Sequence, residues 1–137
     1  MVITWKNKMS IDKDIIDDDH KTLMHIINSV EAALKKGKRG KDLMGYIEEL
    51  KKYTDEHFER EENILKKIKY PSCHQQQKKH EDLIIQLNDI TSDLLGLRGE
   101  RAQDKSIPKL LKTLKSWFMG HVLKDDMKIK PFIEAIK

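Results

Sequence analysis

His57 and Glu61 stand four residues apart in the run His57-Phe58-Glu59-Arg60-Glu61-Glu62. That spacing sets an imidazole and a carboxylate on one face of a helix, a turn apart. Apolar residues on the same face fall at Leu43, Ile47, Leu50, Ile64 and Ile68, and the alternating four-and-three spacing passes unbroken through Thr54, His57 and Glu61. Two polar groups therefore occupy core positions, where burial without partners is costly. Other polar residues interrupt apolar seams in the same way. His20 falls in Ile16, His20, Leu23, Ile27, Val30, Leu34, and Gln76 and His80 lead Leu83, Leu87, Ile90, Leu94. His121 ends Ile107, Leu110, Leu114, Trp117, His121. Imidazoles gathered with carboxylates are the ligand set of a buried transition-metal site. Four seam histidines with Glu61 exceed what one tetrahedral zinc uses, which points to two metals.

The seams define the elements that must carry these groups. The first helix is expected to start near Asp17 to Asp19, whose charges suit a helix N-terminus, and to stop at Lys36-Gly37-Lys38-Arg39-Gly40. A second runs from about Lys41 to Lys67, before Tyr70-Pro71, and a third follows Pro71 and ends at Gly96-Leu97-Arg98-Gly99. The fourth begins near Ser106, with Pro108 tolerated in its first turn. Four amphipathic helices with short connections predict an all-α, antiparallel up-down-up-down four-helix bundle. Residues 1–15 form an arm carrying Trp5, the bundle spans about 16–126, and 127–137 is a tail in which Phe132 to Ile136 makes a short last helix after Pro131. Alternating helix directions bring His20, His57, Glu61, Gln76, His80 and His121 to the same end of the bundle.

Composition narrows the class. The 137 residues suffice for one domain with a real core, and 36% charged residues with six Gly and three Pro suit a helical protein. No apolar run approaches a membrane span and no signal-peptide pattern opens the chain, so a soluble, cytoplasmic monomer without a membrane partner is expected. A single cysteine, Cys73, excludes an internal disulfide framework. The net charge of +4 comes from dispersed lysines, densest from Lys35 to Lys41 at a helix end. No basic-aromatic interleaving supports nucleic-acid binding.

Several stretches together resemble hemerythrin, the non-haem di-iron oxygen-binding family, in its bacterial members. They are Trp5 with Ile16-Asp17-Asp18-Asp19-His20-Lys21-Thr22-Leu23, His57-Phe58-x-x-Glu61-Glu62, Tyr70-Pro71, His80-x-x-Leu83, and Trp117-x-x-x-His121-Val122-x-x-x-Asp126. The resemblance spans almost the whole chain, in order. It implies two iron ions, oxo- or hydroxo-bridged, with Glu61 and Asp126 as bridging carboxylates. His20 and His57 would bind the iron at which dioxygen adds, and His80 and His121 the other. Asp126 lies five residues past His121, about 140° round an ideal helix. Its assignment rests on the resemblance and requires the backbone to leave regular helix there. Leu23, Ile64 and Trp117 are the expected lining of the oxygen pocket.

One position departs from the family pattern. Gln76 stands where the family has a histidine four residues before His80, which leaves a weak Gln76 contact or an open position at the second iron. His74 is six residues from His80 and projects about 120° away from it on an ideal helix, so it substitutes only through local rearrangement. The function implied is reversible dioxygen binding for storage, delivery or sensing, without turnover. The alternative is a redox enzyme acting on peroxide or nitric oxide through the open position. A third reading is a module holding one zinc in the His20/His57 half.

Overall fold

The computed structural model describes residues 2–97 and 106–135. Four long helices carry the seams: α1 (Asp14–Lys35), α2 (Gly40–Lys67), α3 (Cys73–Leu95) and α4 (Ser106–Gly120), followed by a short α5 (Lys130–Ala135). Among the described residues there is no strand. Each long helix packs on its sequence neighbours and α4 closes the ring against α1, which makes a four-helix bundle. Arg98, Gly99 and Ile136, named in the expected end of α3 and in the tail, lie outside the described residues.

The seam positions of α1 and α3 are all buried. On α2 the seam holds from Leu43 to Glu61, then passes to Leu65, leaving Ile64 and Ile68 half-buried. A similar slip on α4 buries Leu111 and leaves Leu110 half-exposed. The reason is geometric: a straight helix of 3.6 residues per turn drifts about 20° per heptad against a strict seven-residue repeat.

Two turns set the helix directions. After α1, Gly37 (φ 86°) takes the left-handed conformation, with Lys38 N donating to Ala33 O and Gly37 N to Leu34 O. After α2 the same pattern recurs: Tyr70 N donates to Leu65 O and Lys69 N to Lys66 O. Here the left-handed position is Lys69 (φ 55°), followed by Tyr70-Pro71, where the ring bars continuation.

The N-terminal end differs from expectation. α1 starts at Asp14, not at Asp17 to Asp19. Asp17 is buried and ties the arm down instead, accepting hydrogen bonds from Ser10 Oγ (2.6 Å) and Ile11 N (3.0 Å). The arm is anchored further by Asn28, whose side chain pairs with both backbone groups of Ile3, and by Lys21 over the Trp5 ring at 5.1 Å. Pro131 does not separate α5 from the chain before it but sits in its first turn, where a missing N–H costs nothing.

The apolar interior divides into two clusters. The larger runs from Leu23 and Phe58 down the bundle and includes Leu50, Leu83, Leu114 and Phe118. The smaller closes one end with Ile11, Ile16, Leu65, Tyr70, Ile129 and Ile133. The polar seam residues His20, His57, Glu61, Gln76, His80 and His121 fall between the two.

Because Lys69 holds a conformation that suits glycine, Lys69→Gly is expected to raise stability by about 0.5–1 kcal/mol, whereas Gly37→Ala should cost about 1–2 kcal/mol. Urea denaturation of both variants checks this.

Candidate metal centre

The polar layer is made by His20 from α1, His57 and Glu61 from α2, Gln76 and His80 from α3, and His121 and Asp126 from the turns that follow α4. All seven are buried, and His20, His57, Glu61 and Asp126 have no exposed surface. Asp126 reaches the layer because the chain leaves regular helix after Gly120. His121–Asp125 forms a π turn, and Asp126–Lys128 a 3-10 turn. The wider π turn realigns residues five apart, so His121 Nε2 lies 2.8 Å from Asp126 Oδ2.

One donor atom from each of His20, His57, Glu61, His121 and Asp126 lies within 4.8 Å of all the others. Ligands about 2.1 Å from one ion span up to about 4 Å, so this spread is near that of a single coordination sphere. Close approaches fill the cluster: His20 Nε2 to Asp126 Oδ2 at 2.7 Å, His57 Nε2 to Glu61 Oε2 at 3.1 Å, and His57 Nε2 to His121 Nε2 at 3.2 Å. Yet both His20 nitrogens, Glu61 Oε2, His121 Nδ1 and Asp126 Oδ2 are buried without a hydrogen-bond partner. Buried oxygen and nitrogen atoms that crowd together unsatisfied are expensive, and a cation among them removes the cost. The donor set therefore fits a metal.

His80 and Gln76 flank this set. His80 Nε2 lies 3.1 Å from Glu61 Oε1, its Nδ1 lies 2.9 Å from Glu62 Oε2, and its ring stacks on Phe58 at 4.0 Å. Gln76 turns its amide nitrogen, not its carbonyl, to the carboxylates, donating to Asp126 Oδ1 (2.8 Å) and Glu61 Oε1 (3.1 Å). His74 is exposed, as is His25.

Asp19, Arg60 and Tyr53 belong to the site although sequence reading missed them. Arg60 forks onto Asp19 with two bonds of 2.8 Å, and Tyr53 Oη adds one of 2.9 Å. Asp19 Oδ2 lies 3.1 Å from His57 Nδ1, so it fixes the ring and turns Nε2 to the cluster. The charge of Asp19 suggested only a helix N-terminus. A usable signal was the i−4, i, i+3 spacing of Tyr53, His57 and Arg60 on one face of α2.

Of the expected pocket residues, Leu23 and Trp117 are buried in the larger cluster, and Trp117 Nε1 donates to Leu83 O at 2.9 Å. Ile64 packs on the smaller cluster.

The electrostatics follow from burial set against pairing. Burial lowers the His20 pKa and outweighs Asp126, which favours the neutral imidazole that ligation needs. Burial also acts to lower His57, but Asp19 and Glu61 override it and raise the group to about 9. Burial acts to raise Glu61, and His57 and His80 override that, holding the carboxyl well below the usual carboxylate range. For Asp19, likewise, His57, Arg60 and Tyr53 outweigh burial and keep it ionised. His80 is raised because Glu61 and Glu62 outweigh burial.

These shifts give a signed prediction for the chain stripped of metal. A pKa raised from 6.5 to about 9 means that His57 stabilises the fold fully below the lower value and loses this as pH climbs through the upper one. Glu61 acts on the acid side, its contribution vanishing only as pH falls through its depressed pKa. Between pH 7 and 9.5 the chelator-treated chain should lose about 2–3 kcal/mol, and Asp19→Asn should flatten that slope. Denaturant midpoints at the two pH values measure it.

Comparison with known proteins agrees with this geometry. The Hemerythrin HHE cation binding domain matches residues 12–133. The chain is 27% identical to a bacteriohemerythrin of Clostridium acetobutylicum over 128 residues, covering 91% of this chain and 96% of that one. It is 25% identical to a Stenotrophomonas maltophilia bacteriohemerythrin over 134 residues (98% and 83%), and 27% to one of Pseudomonas aeruginosa over 135 residues (98% and 82%). With the family's domain spanning nearly its whole length around a buried histidine-carboxylate cluster, the chain belongs to the hemerythrin family.

Proposed function

We propose that this chain binds dioxygen reversibly at two non-haem irons held by His20, His57, Glu61, His80, His121 and Asp126, in cytoplasmic oxygen storage, delivery or sensing. The observation that carries this reading is the convergence of unsatisfied, fully buried imidazole and carboxylate atoms in a layer closed by apolar clusters on both sides. Two ferrous ions, if held by these residues, would supply the two electrons that dioxygen binding needs. The chain's own residues do the rest. Glu61 and Asp126 offset cationic charge where water cannot. Asp19 holds His57 with its Nε2 turned inward, and Arg60 keeps Asp19 ionised. Phe58, stacked on His80, covers one face of that ring beside a groove of about 380 Å³ between α2 and α3 that both line with Glu62 and Lys66. Excluding water and stray protons from the site favours release of dioxygen unchanged over its reduction.

One observation favours a second reading, turnover of peroxide or nitric oxide. Gln76 brings no imidazole to the site, and it lines a polar groove of about 250 Å³ with Tyr70, Ser72, Lys79 and Lys128. A small polar substrate can reach the layer there.

Anaerobically reduced, iron-loaded protein should develop a visible absorption band on exposure to oxygen and lose it when oxygen is removed. A fully iron-loaded chain that shows no such band overturns reversible binding. Steady turnover of peroxide with a reductant, suppressed by Gln76→His, would establish the second reading instead.

A further inference from the structure

Two imidazoles of the layer carry a carboxylate on their outer nitrogen. Asp19 Oδ2 lies 3.1 Å from His57 Nδ1, and Glu62 Oε2 lies 2.9 Å from His80 Nδ1. His121 Nδ1 is buried with no such partner. Its ring gives Nε2 to the layer, 2.8 Å from Asp126 Oδ2. The two nitrogens of an imidazole point about 140° apart, so Nδ1 is turned away from the layer. With Nε2 used on a metal, the neutral ring carries its proton on Nδ1, and that N–H calls for an acceptor. His20 Nδ1 is unpartnered too, but that side chain has no exposed surface, whereas His121 lines a groove.

This groove, of about 160 Å³, lies between α3, α4 and the turn that follows α4. Lys79, Lys124 and Asp125 line it, which leaves one net positive charge, and Leu83 and Trp117 give it an apolar wall. It shares Gln86, Ser116 and Trp117 with a larger groove of about 510 Å³ that Ile90 also borders. Gly120 keeps it open. The backbone there is helical (φ −62°, ψ −43°), so no left-handed turn calls for glycine, and an added Cβ would meet no atom within 4 Å. Glycine at a helical position costs stability, and here the missing side chain leaves space beside His121.

From these observations we infer that the groove binds a short aliphatic monocarboxylate. One of its oxygens accepts from His121 Nδ1–H, in the place that Asp19 holds at His57 and Glu62 at His80. Lys79 and Lys124 flank the head, and the alkyl tail lies along Leu83 and Trp117. A single net positive charge suits a monoanion better than phosphate, because Asp125 repels a second negative charge. A carboxylate on Nδ1–H makes a ligating imidazole more basic, so an organic acid would tune the metal from outside the layer. The inference rests on reading the layer as a metal centre.

Calorimetric titration of the iron-loaded full chain with butyrate, paired with nuclear magnetic resonance of the zinc-loaded chain, tests it. The expected result is one butyrate per chain with a Kd of about 1–10 mM, the range open to so small a ligand. Acetate, shorter by two methylenes, should bind about tenfold more weakly. Butyrate should also shift the His121 Nδ1–H proton resonance. Lys79→Gln combined with Lys124→Gln, and separately Gly120→Leu, should each weaken butyrate at least about tenfold, with iron content and helical circular dichroism unchanged. Three results would overturn the inference: no saturable butyrate binding to the iron-loaded parent, phosphate bound as tightly as butyrate, or butyrate binding that these variants leave unchanged, the mark of direct attachment to the ion. A parent that takes up neither iron nor zinc overturns the metal-centre reading, and the inference with it. The parent titration decides by itself, so a variant that misfolds does not leave the question open.

Discussion

Glu61 is an ionised carboxylate with no exposed surface, at the centre of a helical bundle. Burying such a charge alone costs several kcal/mol, and removing its partners exposes that cost. The surrounding structure answers that constraint. His57, His80 and Gln76 bring positive charge or N–H donors to it from two helices, and Asp126 is placed alongside by a local change of helix type. The polar layer is tolerable because its members pair with one another and because apolar clusters seal it above and below. It also leaves several lone pairs unsatisfied, and these give a hemerythrin-family chain its affinity for a cation.

The support around His57 shows how far the constraint reaches. Arg60 is more than a third exposed, Asp19 is buried, and His57 is fully buried. The three form a line from solvent to the cluster, in which a forked ion pair at the surface fixes the tautomer of an imidazole in the core. Because Asp19 comes from α1 and the other two from α2, the same contact also sets the register of the two helices. His80 is held differently, between Glu61 inside and the partly exposed Glu62 outside. One histidine is thus anchored by a buried carboxylate with its own cation, and the other by a carboxylate near solvent.

Most of the architecture was legible in the chain. Seam residues of α1 and α3 are buried where their spacing puts them, and Gly37 and Tyr70-Pro71 mark the turns. Errors arose where spacing alone cannot speak. The seam of α2 drifted from Ile64 to Leu65 because the repeat and the helix period differ. α1 starts before Asp17 and Asp19 because these carboxylates do more than face a helix N-terminus: Asp17 holds the neighbouring arm through Ser10 and Ile11, and Asp19 reaches across to Arg60 and Tyr53 on α2.

The sequence by itself determined which residues share a helical face, since a period of 3.6 is a property of the backbone. It thereby brought four histidines, a glutamate and a glutamine to one end of the bundle. Asp126 was beyond that logic, because only a π turn aligns it with His121, and such a turn exists where packing on both sides stabilises it. The tertiary structure alone decided which atoms of the layer pair. It set His20 on Asp126, and turned His80 and the Gln76 amide to Glu61. Hydrogen bonding between helices makes those pairings, and the order of residues along one helix does not encode them.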